Sequence, residues 1–277
     1  MDKALLTILG PTACGKTSFA TQLARRLDGE IISADSRQVF RGMDIGTGKD
    51  LSDYTAGGQP VPYHLIDIAE PGTRYSVYQF QQDFAAAYCE IVTRGKTPVL
   101  CGGTGLYIES IIRGYDFPKV EDGGRKNNRH ATDNVITPDA PLTVPPSSDY
   151  RSLNIGLLID REERRQKISR RLRARLDEGM VDEVRGLIDR GVSADALIRY
   201  GLEYKYVTLY LQGQLGYDEM VRLLEIAIHQ FAKRQMTWFR GMEERRGIPI
   251  HWLSCELPIE ERIEIVEDLW KKHLAGA

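Results

Sequence analysis

The sequence predicts an α/β protein: a parallel sheet flanked by helices, with a helical C-terminal part. Three observations predict it. Short apolar runs of strand length recur at residues 4–9, 30–35, 97–101 and 153–160, separated by stretches whose apolar residues fall at helical spacing. A glycine-rich segment, Gly10-Pro11-Thr12-Ala13-Cys14-Gly15-Lys16-Thr17, joins the first run to a helix that carries Phe19, Leu23, Ala24 and Leu27 on one face. Beyond residue 160 the helical pattern dominates. A strand, a glycine-rich loop ending in Lys-Thr and a helix form the context of a P-loop, so the fold class is P-loop NTPase-like.

In that loop, successive backbone N–H groups converge on a phosphate, the helix N-terminus adds positive potential and Lys16 adds a full charge. Gly10 through Thr17 are therefore the candidate diphosphate- or nucleotide-binding residues. The Thr17 hydroxyl is a candidate ligand for a magnesium ion. The alternative is a glycine-rich turn that merely caps a helix. The motif alone does not say which phosphate compound binds, ATP included, or whether a phosphoryl group moves.

Composition narrows the classes. A chain of 277 residues is long enough for one α/β domain, with or without a small attachment. A net charge of −2 excludes an overall basic nucleic-acid protein but leaves room for a local basic surface. Cys14, Cys89, Cys101 and Cys255 lack zinc-ligand spacing and fit reduced thiols, which with no signal peptide predicts a cytoplasmic location. No apolar run approaches the roughly 20 residues of a membrane span.

Each later segment extends the α/β pattern. Residues 30–35 form a strand ending on Asp35, which in an open α/β sheet points at the crevice that holds Lys16. Residues 36–49 read as a loop with a short helix, either facing substrate or simply solvated. Residues 62–68 predict a strand in which His64 is either a ligand or structural. A helix over 77–94 follows, with Ser76 as N-cap and Gly95 as its stop. The strand at 97–101 runs into Gly102-Gly103-Thr104-Gly105, bringing Thr104 to the same face, unless the junction is only a tight turn. Residues 119–152, with Pro138, Pro141, Pro145, Pro146 and few core residues, read as a mobile loop or linker between a first core part, 1–118, and a second, 153–277.

The helix after residue 160 is strongly basic, with Ile168, Leu172 and Leu176 on one stripe and Arg171 and Arg175 on its flank. Its basic face is either solvated or a clamp on an anion. Helices over 181–190 and 218–240 follow. In the second, Lys233, Arg234 and Arg240 beside Trp238 and Phe239 offer a nucleic-acid edge, although the aromatic pair by itself suits a core. A closing strand at 249–253 and a helix at 259–274 complete the chain.

Several stretches together resemble the tRNA dimethylallyltransferase (tRNA isopentenyltransferase) family. They are the loop at 10–17, then Ile31-Ile32-Ser33-Ala34-Asp35-Ser36, Gln38-Val39, Met43-Asp44-Ile45-Gly46-Thr47 and Lys49. His64-Leu65-Ile66-Asp67-Ile68, Tyr75-Ser76, Gly102-Gly103-Thr104-Gly105-Leu106-Tyr107, Asp160-Arg161-Glu162 and Ala232-Lys233-Arg234-Gln235 continue them, with Thr237-Trp238-Phe239 last. The resemblance implies transfer of a dimethylallyl group from dimethylallyl diphosphate to the exocyclic amine of the adenosine on the 3′ side of the tRNA anticodon. It implies Asp35 as the base, and Lys16, Thr17 with Mg2+, and Arg171 around the leaving diphosphate. It implies Asp35, Ser36, Arg37, Gln38, Thr104 and, by looser alignment, Arg125 as tRNA contacts. The tRNA anticodon stem-loop is the expected partner and a monomer the expected state.

Two departures from the family pattern stand out. The usual helical insertion ahead of residue 153 is replaced by the polar, proline-rich stretch. The usual Gly-Tyr-Arg is Gly201-Leu202-Glu203 here, an acid where a cation is expected. Three further readings therefore stay open: a free-adenylate dimethylallyltransferase, a P-loop kinase or nucleotide-binding protein, and a binding module without catalysis.

Overall fold

The computed structural model describes residues 3–116 and 150–276. Its centre is a six-stranded parallel sheet. The strands are β1 (Ala4–Leu9), β2 (Gly29–Ser33), β3 (Tyr63–His64), β4 (Thr97–Gly102), β5 (Arg151–Leu158) and β6 (His251–Ser254), in the order β3-β2-β4-β1-β5-β6. From β1 the chain winds to one side through β2 and β3. It returns to β4 and then crosses to β5 and β6. The carboxyl ends of β1, β2 and β4 thus open on one crevice, where ligands of open α/β sheets collect.

A parallel sheet is covered on both faces, so its strands are apolar almost throughout. In β1, Leu6 and Ile8 face α1 (Lys16–Arg26) and α10 (Ile259–Leu274), against Phe19, Leu23, Val266 and Trp270. Leu5 and Leu9 face α3 (Val77–Thr93) and α4 (Gly105–Arg113), against Phe80, Phe84 and Ile108. All four side chains are fully buried, each contributing about 1.5–3 kcal/mol. α3 starts at Ser76 in a capping box with Gln79, whose side chain accepts from the Ser76 amide at 2.8 Å.

A third core joins the loop after β2 to the C-terminal helices. Val39, Phe40 and Met43 pack against α5 (Arg161–Asp177), α6 (Met180–Asp189), α8 (Leu202–Leu211) and α9 (Tyr217–Glu244). The short helices α2 (Ser52–Thr55) and α7 (Ala194–Tyr200) complete the set.

Several boundaries differ from expectation. Residues 36–49 contain turns rather than a helix, and the short helix α2 comes after them. The strand expected at 62–68 is only Tyr63–His64, because Leu65 and Asp67 take positive φ of 63° and 57° and the Asp67 and Ile68 amides bond back to the Gln38 and Val39 carbonyls. β5 starts at Arg151, two residues before the strand expected from 153. Arg125 and most of 119–152 lie outside the described residues. α7 and α8 were not expected. They are brief, Gly191, Gly201 and Gly213 punctuate them, and α8 buries Glu203 and Thr208 beside Tyr204 and Val207, which blurs the helical period.

Candidate active site

The loop after β1 takes its shape from two left-handed residues, Ala13 at φ 63° and Gly15 at φ 79°. Alternating backbone hand turns consecutive N–H groups towards one concavity, and Gly15, the N-cap of α1, is the residue type that tolerates this best. Lys16 Nζ donates to the Pro11 carbonyl at 2.7 Å, so its ammonium folds over the loop. Thr12, Ala13, Gly15, Lys16 and Thr17 line a cleft shared with Asp35, Arg37, Gln38, Asp50 and Arg171. Gly10 and Pro11 approach the cleft from β1. Cys14 points its buried side chain into the core below.

The acid at the end of β2 is held by its neighbour. Asp35 Oδ1 accepts from the Arg37 amide at 3.0 Å and lies 3.6 Å from Arg37 Nε. The Ser36 amide donates to Thr104 Oγ1 at 3.0 Å, fastening this segment to the N-cap of α4. Gln38 Nε2 donates to the Gly48 carbonyl at 3.0 Å. Asp35, Ser36, Arg37, Gln38 and Thr104 therefore form one local assembly beside the phosphate-type loop.

The opposite wall comes from α5. Arg171 pairs with Asp50 and reaches the Gly48 carbonyl at 3.5 Å. Arg175, one turn further along, lines the same cleft. Burial pushes the Arg175 pKa down to about 10, and the Arg171 charge adds to that shift. Glu203 of α8 stands between cations: its Oε2 accepts from Arg37 Nη1 at 2.9 Å and its Oε1 lies 3.6 Å from Arg175 Nη1. Burial alone would lower the Arg37 pKa, but Glu203 and Asp35 outweigh it and hold the pKa above its ordinary value. The acid that replaces the expected cation is thus a buried counter-ion within the site.

Sequence reasoning left several site residues unassigned. Gln235 is the clearest. Its Oε1 accepts from the Thr12 amide at 2.8 Å and its Nε2 donates to the Gly103 carbonyl at 2.9 Å, clasping the loop after β1 to the turn after β4. Its signal is the Ala232-Lys233-Arg234-Gln235 stretch, in which a polar, uncharged Gln follows two cations. Glu183 is another: its carboxylate accepts from the amides of Asp44, Ile45 and Gly46 at 2.7–3.0 Å and from the Tyr204 hydroxyl at 2.6 Å. It fixes the Met43–Thr47 motif to α6. Cys101, buried in the cleft wall, has its pKa pushed up to about 12 by burial and is a neutral thiol.

Other expectations resolve plainly. His64 Nε2 sits 2.7 Å from Glu30 Oε2 at the sheet edge, a structural pairing. Phe239 is fully buried and Trp238 packs beside it, whereas Lys233, Arg234 and Arg240 are exposed. Among the described residues no helix is long and apolar enough to cross a membrane. Among them, too, no three His, Cys, Asp or Glu side chains are grouped to hold a metal.

A parallel sheet with a glycine-rich loop and a fixed acid facing each other at its carboxyl edge defines a P-loop-like α/β protein. The family model for IPP transferase matches residues 38–140 and 136–242, and that for isopentenyl transferase matches residues 3–59. The chain is 52% identical to tRNA dimethylallyltransferase 1 of Parabacteroides distasonis over 94% of its own length and 95% of the relative's. It is 51% identical to tRNA dimethylallyltransferase 2 of Bacteroides fragilis, covering 98% and 99%. Its structure resembles that of the tRNA isopentenylpyrophosphate transferase from Bacillus halodurans, with a TM-score of 0.81, 31% identity and coverage of 99% and 98%. The chain belongs to the IPP transferase family.

Proposed function

We propose that the chain transfers a dimethylallyl group from dimethylallyl diphosphate to the exocyclic amine of the adenosine 3′ to a tRNA anticodon. One observation carries the chemistry: a fixed carboxylate, Asp35, shares a cleft with Lys16, Thr17 and Arg171. In the reaction the carbon–oxygen bond of the allylic diphosphate breaks and a carbon–nitrogen bond to the adenine forms. The electron pair leaves on the diphosphate oxygen, and the amine proton passes to Asp35. Oδ1 of Asp35 is tied to Arg37, so Oδ2 is the oxygen that accepts it.

Charge grows on the leaving diphosphate. Lys16, the amides of 13–17 and the Arg171 guanidinium are the donors that stabilise it. Asp35, Asp50 and Asp53 line the cleft beside Thr17 but are not grouped to hold a metal between them, which fits a magnesium ion bound mainly to substrate oxygens and water, with Thr17 as its protein ligand. Such an ion neutralises phosphate charge. The adenine leaves its stack to enter beside Thr12, Ser36, Gln38 and Thr104. The exposed Lys233, Arg234 and Arg240 supply phosphate contacts to the RNA. The names of the curated relatives support tRNA, rather than a free nucleotide, as acceptor.

The experiment supplies labelled dimethylallyl diphosphate and magnesium to the purified protein, with an unmodified tRNA and AMP as acceptors in parallel. Label in the tRNA is expected. Label in AMP alone, or in neither, overturns the proposal.

A further inference from the structure

Arg175 has no part in the reaction as described above, yet its position asks for an anion. Its side chain is only 12% exposed, and its one ion-pair partner among the described residues is Glu203, at 3.6 Å. That distance is longer than a hydrogen bond, and the other Glu203 oxygen is already taken by Arg37. None of the five N–H donors on Arg175 meets an acceptor at hydrogen-bond distance among the described residues, and the guanidinium borders the cleft, where these donors are open to a ligand.

The backbone has made room for it. At Gly48, φ +65°, a Cβ would stand 1.6 Å from Arg175 Nη2 and 2.5 Å from Arg171 Nη2. Both guanidiniums therefore lie across this one glycine, side by side on the wall that faces Lys16 and Thr17. Two cations this close repel one another, and an acceptor with several charged oxygens relieves both at once. The chain also carries Glu203 where the family motif has an arginine. On α8 an unneutralised acid would oppose a diphosphate, whereas between Arg37 and Arg175 it is neutralised and orients both.

We infer that Arg175 is a second diphosphate-binding arginine, oriented by Glu203, which grips the leaving group beside Arg171 across Gly48. In this chain the cation that the motif would carry on α8 is supplied from α5. The inference rests on the prenyl-transfer reading only for the identity of the substrate; the affinity for diphosphate itself does not depend on it.

The test is calorimetric titration of the wild-type protein and of R175A, R175K and R171A with inorganic diphosphate and magnesium. R175A is expected to weaken binding by about 10- to 100-fold, the scale of charge-assisted hydrogen bonds, with R171A as the positive control. R175K keeps the charge and loses the fork, so it falls between wild type and R175A. The KM for dimethylallyl diphosphate should rise in parallel, while tRNA affinity without donor stays within about twofold. R175A binding diphosphate as wild type does overturns the inference, as does wild-type protein that fails to bind it. Should R175A not fold, wild-type affinity in R175K overturns it. Wild-type protein that binds diphosphate but labels no tRNA, with R175A still weakened, overturns the prenyl-transfer reading and leaves this inference standing.

Discussion

At the scale of single residues, the cleft sets apart groups that do chemistry from groups that hold them. Asp35→Asn keeps the shape but cannot take a proton. It is expected to lower kcat by about 10²- to 10⁴-fold, with diphosphate affinity unchanged, read by single-turnover transfer to tRNA. Gly48→Ala is expected to fail differently. It forces a left-handed alanine at a cost of about 1–2 kcal/mol and displaces two arginines, so both the melting temperature and diphosphate affinity fall. Lys16, Thr17 and Asp35 were legible in the sequence because each belongs to a local motif whose context is a strand end. Gln235 was not, and Arg175 and Glu203 stood out only as one member of a basic row and as a departure from the family pattern, without a place in the site. Their partners are Thr12, Arg37 and Gly48, and separations such as the 166 residues between Arg37 and Glu203 leave no local pattern.

At the scale of elements, side chains fasten one piece of backbone to the next. Glu183 ties the 44–46 turn to α6 through three amides. Glu183→Ala strands those donors and is expected to cost about 2–4 kcal/mol in urea unfolding, and to loosen Gly48 downstream. Glu30 ties β2 to the end of α3 through Arg94, with hydrogen bonds of 3.0 and 2.8 Å, and to His64 of β3. Burial would raise the Glu30 pKa, but the Arg94 hydrogen bonds and His64 prevail and hold it below the ordinary value. The pairing thus stabilises the fold fully above the unfolded-state pKa and is lost as pH falls through the lower folded one. Glu30→Gln should therefore show a shallower loss of stability between neutral pH and the acid range in pH-dependent unfolding. Elements with clear stops were readable: α3 between Ser76 and Gly95, and α10. The stretch after Pro62 carries β-branched and apolar residues that suit a strand, but its backbone is spent bonding to the Gln38–Val39 loop. Only tertiary structure decides that.

At the scale of the molecule, the order of the strands is what makes a site. The motifs after β1, β2 and β4 become neighbours only because the sheet interleaves them, and the alternation of apolar runs with helices was enough to foresee a parallel sheet with its crevice. α9 then presents two faces, with Gln235 turned to the loop and Lys233, Arg234 and Arg240 turned outward. Binding to tRNA is expected to fall with salt on a log–log slope steeper than about −2, and neutralising each of these three cations to flatten it by about one. Filter-binding titrations between low and physiological salt measure both. The clasp on Thr12 has a consequence for how the protein is made. It spans 223 residues of sequence. At roughly 5–20 residues per second a ribosome finishes the glycine-rich loop about 10–45 s before it delivers Gln235. A nascent chain, or one released early, carries the loop without its fastening, so the cleft is completed only when synthesis has passed through α9.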